Sequence, residues 1–229
     1  MADLASQGFS GPLPRSSQWF YQATRVVFMS FFAVWLRLTV VGREHVPDTG
    51  GFILAAGGHR SILDTPVVAR TSRRIFRYMG AEKYFEVPGL SWFLRSVGGF
   101  PVQRDATDRD ALRLSQEVLA SGEPLVIYPE GTRFSGPKVQ PLQQGAAFLA
   151  CRAQVPIVPV GLGGTERAWP IGGKFIRPSK VVLVVGEPMV PPVPEDGKRV
   201  KRSAMKAFND ELHTRLQELF DQAQARAGV

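Results

Sequence analysis

A chain of 229 residues with 44% apolar and 21% charged residues is typical of one globular domain, which excludes an intrinsically disordered protein. Its single cysteine, Cys151, excludes an intrachain disulfide, and three well-separated histidines offer no zinc-type ligand cluster, so no metal site is expected. The 28 Lys and Arg against 20 Asp and Glu give a formal charge of +8, which favours a phosphate-bearing partner: nucleic acid, anionic lipid or a small phosphorylated substrate.

The amino-terminal segment, residues 1–41, is expected to be a loose leader followed by an aromatic helix. As a helix, its uncharged stretch at 26–36 is about 16 Å long, which is shorter than the roughly 30 Å hydrocarbon core of a bilayer. The surrounding aromatic residues and the flanking Arg25 and Arg37 suit the membrane interface. We therefore expect an interfacial helix, with two alternatives: a helix packed on its own domain, or a tilted span that extends to Val41.

From Gly42 to residue 195, short β-rich runs alternate with helical stretches, which predicts an α/β domain with a mixed, largely buried sheet flanked by helices. The expected strands are residues 52–56, 75–79, 100–102, 124–128, 157–161 and 181–185. The expected helices are residues 66–72, 89–97, 107–121 and 143–153. Residues 198–225 have the apolar spacing of an amphipathic helix, so the carboxyl-terminal part, 196–229, is expected to pack on the domain.

A polar cluster follows the first strand of this predicted domain, where ligands bind in α/β sheets. His59 and Asp64 are five residues apart on a turn that leads into a helix, so the carboxylate can reach the imidazole and raise its basicity. Such a pair can act as a general base toward a hydroxyl. The alternative is an ordinary loop histidine beside an acid at a helix start, and Thr65-Pro66 has the pattern of an N-cap followed by proline.

A serine hydrolase is not expected, although Ser61 lies two residues after His59. The chain contains no G-x-S-x-G elbow, and a serine so close in sequence reaches its base poorly.

Two later segments carry cations and also follow predicted strands. Gly131, Thr132 and Arg133 can form an edge that holds a phosphate, the alternative being a plain turn with a solvated arginine. Arg104 ends the segment 98–104, and Lys83 lies about twenty residues upstream. The three cations can converge on one anion, although each alone is typical surface charge.

In order and spacing, these segments resemble the four sequence blocks of the glycerolipid acyltransferases, specifically the 1-acylglycerol-3-phosphate acyltransferases. The H-x4-D block corresponds to His59 and Asp64, and the second block to residues 99–104. The third block corresponds to residues 129–133 and the apolar, proline-containing fourth block to residues 155–160. The resemblance covers about residues 40–190, and four ordered blocks are far more specific than any one of them.

The resemblance implies that residues 42–195 form an acyltransferase domain. The implied reaction moves a fatty acyl group from an acyl thioester, acyl-CoA or acyl carrier protein, to the free hydroxyl of 1-acylglycerol-3-phosphate, giving phosphatidic acid. His59 is then the base and Asp64 orients it, while backbone N–H groups near the first block are expected to stabilise the oxyanion. The substrate-binding residues that the resemblance implies are Lys83, Arg104 and Arg133 for the acceptor phosphate, with Glu130, Gly131 and Thr132 shaping the acceptor pocket.

No cofactor is expected beyond the thioester co-substrate, and the expected partners are membrane lipids, not nucleic acid. The protein is expected at the cytoplasmic face of the cell membrane. The basic runs at Arg70, Arg73, Arg74 and Arg77 and at 198–202 are expected either to meet anionic headgroups or to form solvated faces. Cys151 lies outside every block and is expected in the core.

Alternatives for the reaction stay open because the chain departs from the family pattern at two positions. Gly58 stands where the family commonly has Asn before the histidine, and Phe134 stands where it commonly has a small polar residue. The acceptor can therefore be another lysophospholipid, glycerol-3-phosphate or a glycolipid hydroxyl. Outside acyl transfer, the alternatives are a thioester hydrolase and a non-enzymatic domain that binds anionic membranes.

Overall fold

The computed structural model describes residues 15–102, 109–194, 197 and 199–229. Within these ranges the α-helices are α1 (Arg15–Trp35), α2 (Asp64–Val68), α3 (Pro88–Ser96), α4 (Arg109–Ala120), α5 (Gly145–Ala153), α6 (Thr165–Ala168) and α7 (Arg202–Ala227). The strands are β1 (Thr39–Val41), β2 (Ile53–Gly57), β3 (Arg77–Ala81), β4 (Gly99–Val102), β5 (Leu125–Ile127), β6 (Ile157–Gly163) and β7 (Val182–Val185).

The strands form one sheet in the order β1-β7-β6-β2-β5-β3-β4. Neighbouring strands are parallel except for the antiparallel pair β6 and β7. The predicted mixed, largely buried sheet is therefore confirmed. Strand β1 was not expected, because it has only three residues and is partly exposed, and β3 begins two residues later than the apolar run suggested.

Helices cover both faces of this sheet. Along β2, Ile53 and Ala55 point into the cluster formed with α4, α5 and α7, whereas Leu54 and Ala56 point into the cluster formed with α1 and α2. This alternation follows from the two-residue period of a strand. Because β2 is buried on both faces, none of its side chains faces solvent, and its sequence is therefore a continuous apolar run.

Helix α7 lies directly against β6. A Cβ atom at Gly161 would lie 2.2 Å from the backbone of Leu219, and one at Gly163 would lie 2.2 Å from that of Ala223. Only glycine allows this separation between a helix and a strand. The close contact brings the middle of α7 next to the loop that follows β2.

Helix α1 packs one stripe against the sheet and exposes the opposite one. Tyr21 and Phe32 are buried, and the phenol oxygen of Tyr21 accepts a hydrogen bond from the Phe76 N–H group. The exposed apolar side chains of α1 are Trp19, Val26, Val27, Phe28, Phe31, Val34 and Trp35. Among the residues that the structure describes, no helix has both the length and the apolar character needed to cross a membrane.

The expected basic surface at residues 70–77 is only partly correct. Arg77 is buried beside Glu123, at 3.5 Å from its carboxylate. Arg74 donates hydrogen bonds to the carbonyl groups of Pro47, Gly50 and Gly122. These two guanidinium groups hold loops together, so they are not available to headgroups.

Candidate active site

The parallel strands β2, β5, β3 and β4 end at one edge of the sheet, here named the carboxyl edge. His59 follows β2, Arg133 follows β5 and Lys83 follows β3. Neighbouring strands are about 4.8 Å apart, so these residues follow three adjacent strand ends. The fold thus explains how segments far apart in sequence come to one place.

His59 and Asp64 form the central contact of this edge. The His59 Nδ1 atom lies 2.8 Å from Asp64 Oδ2, and the Asp64 side chain is fully buried. The same oxygen accepts the N–H groups of Arg60 and Ser61, each at 2.8 Å. Because a carboxylate can only accept, His59 carries its proton on Nδ1, which leaves Nε2 as a base.

Helix α2 begins at Asp64, two residues before the expected position of Pro66. The expectation that Thr65 is the N-cap is therefore wrong, since Leu63 occupies that position. Asp64 does not cap with its side chain. Its carboxylate instead turns back along the loop to the imidazole and the two backbone N–H groups.

Tyr128 fixes the plane of the imidazole. Its ring stacks on that of His59 with the centroids 4.0 Å apart and the planes 21° apart. Burial, together with the nearby Asp64 carboxylate, raises the pKa of Tyr128, so its phenol stays neutral around pH 7. The sequence marked Tyr128 only as the end of a strand, and its position directly before the third block was the one available signal.

Glu130 joins the first and third blocks. Its Oε1 accepts the N–H groups of Gly58 at 2.8 Å and His59 at 2.9 Å. Its Oε2 accepts the N–H group of Gln140 at 2.8 Å and lies 3.2 Å from Arg60 Nη1. The side chain is fully buried, so both oxygens hold the protein's own loops.

Arg60 is the partner of Glu130 and was not recognised from the sequence. It is 1% exposed and also donates hydrogen bonds to the carbonyl groups of Gly136 and Lys138. Its guanidinium group lies over the ring of Phe220 on α7, 5.1 Å from the centroid. Arg60 therefore ties the loop at residues 58–63, between β2 and α2 and here named the catalytic loop, to the loop after β5 and to α7.

The expected acceptor-binding residues occupy different surroundings. Lys83 is exposed, with Nζ 5.2 Å above the Tyr84 ring. Gly131, Thr132 and Arg133 are exposed in the loop after β5, where the following residue, Phe134, donates its N–H to the His59 carbonyl at 3.1 Å. Arg104 follows β4 and lies outside the described residues.

The backbone N–H groups of residues 58–61 are not the expected oxyanion donors. Those of Gly58 and His59 donate to Glu130, and those of Arg60 and Ser61 donate to Asp64. All four groups are therefore engaged in holding the loop.

Ser61 and Cys151 both have structural positions. The Ser61 hydroxyl donates to the Trp169 carbonyl at 2.7 Å and accepts from the Leu63 N–H group, which does not fit a nucleophile. Cys151 is buried in the core, as expected, and burial raises the pKa of its thiol.

Comparisons with known proteins identify the family of this chain. The family model described as Acyltransferase matches residues 37–163, more than half of the chain. The chain belongs to the acyltransferase family. It is 29% identical over 152 residues to the 1-acyl-sn-glycerol-3-phosphate acyltransferase of Bacillus subtilis, a match that covers 66% of this chain and 72% of the relative.

A second relative is the 1-acyl-sn-glycerol-3-phosphate acyltransferase of Chlamydomonas reinhardtii, which is 29% identical over 164 residues, or 69% of this chain. The chain spans about half the length of that relative and of two chloroplast relatives. Among solved structures, the lysophosphatidic acid acyltransferase PlsC of Thermotoga maritima matches with a TM-score of 0.71 and 25% identity. The match covers 96% of this chain and 83% of that one, and it confirms the fold.

Within the acyltransferase family, the departure at Gly58 has a structural reason. Gly58 has φ +76°, and a Cβ atom there would lie 2.2 Å from Cδ2 of Phe220. Phe220 is fully buried and its ring is held between the core and Arg60. The packing of α7 against the catalytic loop therefore requires glycine before His59.

We expect Gly58→Ala to lower the free energy of unfolding by about 2–4 kcal/mol, because it adds overpacking against Phe220 to left-handed backbone strain. Gly122→Ala is the matched control, since Gly122 has φ +80° with no atom within 4 Å of an added Cβ. The control carries only the strain, about 1–2 kcal/mol. Urea unfolding of both variants measures the difference, and equal losses would contradict the contact with Phe220.

Proposed function

We propose that this protein acylates the free hydroxyl of 1-acylglycerol-3-phosphate from an acyl thioester, with His59 as general base, to give phosphatidic acid. The observation that carries the proposal is the 2.8 Å contact between His59 Nδ1 and the buried Asp64 carboxylate at the carboxyl edge. The activities after which the Bacillus, Chlamydomonas and Thermotoga relatives are named support the same acceptor.

The proposed step needs one proton acceptor. His59 Nε2 takes the proton from the acceptor hydroxyl. At the same time the hydroxyl oxygen attacks the thioester carbonyl carbon, forming the new C–O bond. Collapse of the tetrahedral intermediate breaks the C–S bond, and the imidazolium returns the proton to the leaving thiolate. Asp64 stabilises the imidazolium that forms between these two events. A thioester is already activated, so no covalent enzyme intermediate is required.

The acceptor phosphate is proposed to bind Arg133 and Lys83, together with Arg104, beside His59. Arg133 is exposed, and the next residue is hydrogen-bonded to the His59 carbonyl, so a phosphate held there lies near the base. Glu130 contributes to this site by positioning the two loops, through the hydrogen bonds described above. Gly131 and Thr132 provide the backbone and hydroxyl groups of the same exposed loop.

Arg133→Ala is expected to raise the acceptor KM roughly 10- to 100-fold, the effect of losing a charge-assisted hydrogen bond of about 1.5–3 kcal/mol. The donor KM should change less than about twofold. Steady-state kinetics with each substrate varied in turn measures both constants. The matched control is Arg152→Ala, which removes an exposed arginine on α5. An equal rise of both KM values would place Arg133 elsewhere in the reaction.

Membrane association is proposed to occur through the exposed face of α1. This face carries the exposed apolar side chains named above, with Val34 81% and Trp19 75% exposed, and a contiguous exposed apolar patch marks an interaction or membrane surface. On α3, Trp92 is 59% exposed and its ring lies 4.8 Å from that of Phe20, so α3 extends the same apolar surface. Docking at the cytoplasmic face lets the lysophospholipid enter from the membrane and the thioester arrive from the water.

The test is a screen of acceptors and donors with mass detection of the product. The acceptors are 1-acylglycerol-3-phosphate, another lysophospholipid, glycerol-3-phosphate and a glycolipid, each with acyl-CoA and with acyl carrier protein. Phosphatidic acid as the dominant product supports the proposal. Thiol release that is rapid without any acceptor would overturn it in favour of a thioester hydrolase.

A different acyl acceptor is the second candidate, and one observation favours it. Phe134, where the family commonly has a small polar residue, is 37% exposed directly beside Arg133. In the same screen, acylation of another hydroxyl in preference to 1-acylglycerol-3-phosphate would select this candidate.

A further inference from the structure

A second basic site lies at the amino edge of the sheet, the edge at which the parallel strands begin. A cavity of about 350 Å³ there is lined by Arg43, Val46, Asp48, Thr71, Ser72 and Arg73. Residues 71–73 precede β3. Arg43 follows β1, which runs parallel to β7 and therefore opposite to β6 and β2. The cavity is thus one strand length, roughly 15 Å, from the carboxyl edge and His59.

Two guanidinium groups from different segments, those of Arg43 and Arg73, line this cavity. Arg25 of α1 donates to the carbonyl groups of Ser72 at 2.6 Å and Arg73 at 3.2 Å, which fixes the segment that lines it. Burial lowers the pKa of Arg25, and the positive charges of Arg43 and Arg70 lower it further against the effect of Tyr21. A third positive charge, that of Arg25, thus lies at the wall of the cavity.

One acidic side chain, that of Asp48, also lines the cavity. Within the described ranges, however, none of the ion pairs includes Arg43 or Arg73, so the lining carries one more positive than negative charge. An excess of unpaired guanidinium groups with adjacent hydroxyl groups is the arrangement that binds phosphate. Ser72 provides the hydroxyl group, whose oxygen accepts the Arg74 N–H group at 3.0 Å and whose hydrogen can be donated, whereas the Thr71 hydroxyl donates to the Val68 carbonyl.

The cavity also lies beside the exposed apolar face of α1. Arg25 contacts the cavity wall, and the next two residues, Val26 and Val27, are 64% and 68% exposed. A helix lying in the interface would bring the cavity to the depth of the lipid headgroups.

We propose that this cavity binds a phosphate group, held by Arg43 and Arg73, at a site separate from the residues of acyl transfer. The phosphate belongs to the headgroup of an anionic membrane phospholipid or to a soluble phosphate compound. The site adds to the proposed function and does not depend on it, because no residue of the carboxyl edge lines the cavity.

The experiment compares two double variants of the full chain. Arg43→Gln with Arg73→Gln removes two charges from the cavity. Arg113→Gln with Arg215→Gln removes two exposed charges from α4 and α7, on the other face of the sheet. Vesicle binding is measured with phosphatidylcholine vesicles that contain either no anionic lipid or about 30 mol% phosphatidylglycerol. Binding of inorganic phosphate is measured by calorimetry.

The cavity variant is expected to bind the anionic vesicles roughly twentyfold more weakly, while the control changes less than about threefold. Saturable binding of inorganic phosphate that the cavity variant alone loses, with vesicle binding unaffected, would assign the soluble source. Equal losses in both variants, or no loss in either, would overturn the proposal. Turnover with substrate in detergent should stay within about twofold, so failure of acyl transfer and failure of this site are separate results.

Discussion

His59→Ala is expected to lower kcat by roughly 10²- to 10⁴-fold, the usual contribution of a general base, while the protein stays folded. The variant deprives Asp64 Oδ2 of one hydrogen bond but leaves the two from the Arg60 and Ser61 N–H groups. Losing one hydrogen bond to a buried charge costs about 1–3 kcal/mol, less than the stability of a typical domain. Product formation and thermal unfolding measure the two effects separately.

His45→Ala is the matched control for this experiment. It removes an imidazole from the amino edge, where His45 Nδ1 lies 3.0 Å from the Val185 carbonyl. The control should lose some stability through that contact but keep its turnover within about twofold. If purified His59→Ala retains near-full activity, the assignment of the base is wrong.

Asp64→Asn tests the same step through the charge beside the imidazole. An amide oxygen in the place of Oδ2 can still accept the Arg60 and Ser61 N–H groups and the Nδ1–H group of His59. It carries no negative charge, so it stabilises the imidazolium that forms during the reaction much less than the carboxylate does. We expect kcat to fall by about the same factor as in His59→Ala, whereas both KM values should change little.

The sheet was predictable because its central strands are buried on both faces. Strands β2, β5, β6 and β7 consist of buried residues throughout, so each reads as an apolar run. Strand β1 escaped prediction because its three residues are partly exposed and its pairing with β7 joins residues more than 140 positions apart. Local sequence does not encode such pairing.

The His59–Asp64 contact was predictable because it is local in sequence. Both residues lie in one turn, and their spacing of five residues lets the carboxylate reach the imidazole without help from the rest of the chain. The role of Arg60 was not predictable. Its hydrogen-bond partners at Gly136 and Lys138 lie 76 and 78 residues away, and the adjacent Phe220 belongs to α7. Nothing near Arg60 in the sequence separates a buried arginine from a solvated one.

The sequence identified Glu130 as a site residue, but the contacts of its side chain differ from those expected. The third block marked Glu130 for the acceptor site, yet its carboxylate is buried and accepts the N–H groups of Gly58 and His59. A substrate therefore does not meet this carboxylate in the present arrangement. Under the proposed mechanism, Glu130 positions His59 through the backbone of the loop that carries it.

Glu130→Gln is expected to lower the free energy of unfolding by about 3–5 kcal/mol, because it leaves the buried Arg60 guanidinium without its counter-charge. For a chain of this size that loss lowers Tm by roughly 6–20 °C. The amide nitrogen of the glutamine also takes the place of one carboxylate oxygen. The hydrogen bond from the His59 N–H group or the one from the Gln140 N–H group is therefore lost. We expect kcat to fall roughly 10- to 100-fold well below Tm, since the base moves with its backbone.

Arg60→Met completes a double-mutant cycle with Glu130→Gln. Each single change leaves one buried charge uncompensated, whereas the double variant removes both charges, so its loss of stability should be clearly smaller than the sum of the two. The exposed pair Arg113 and Glu117, 2.7 Å apart on α4, provides the matched control cycle. Solvent screens that pair, and its coupling should not exceed about 0.5 kcal/mol. Equal coupling in the two cycles, measured by urea unfolding, would mean that the 3.2 Å contact between Arg60 and Glu130 does not hold the catalytic loop.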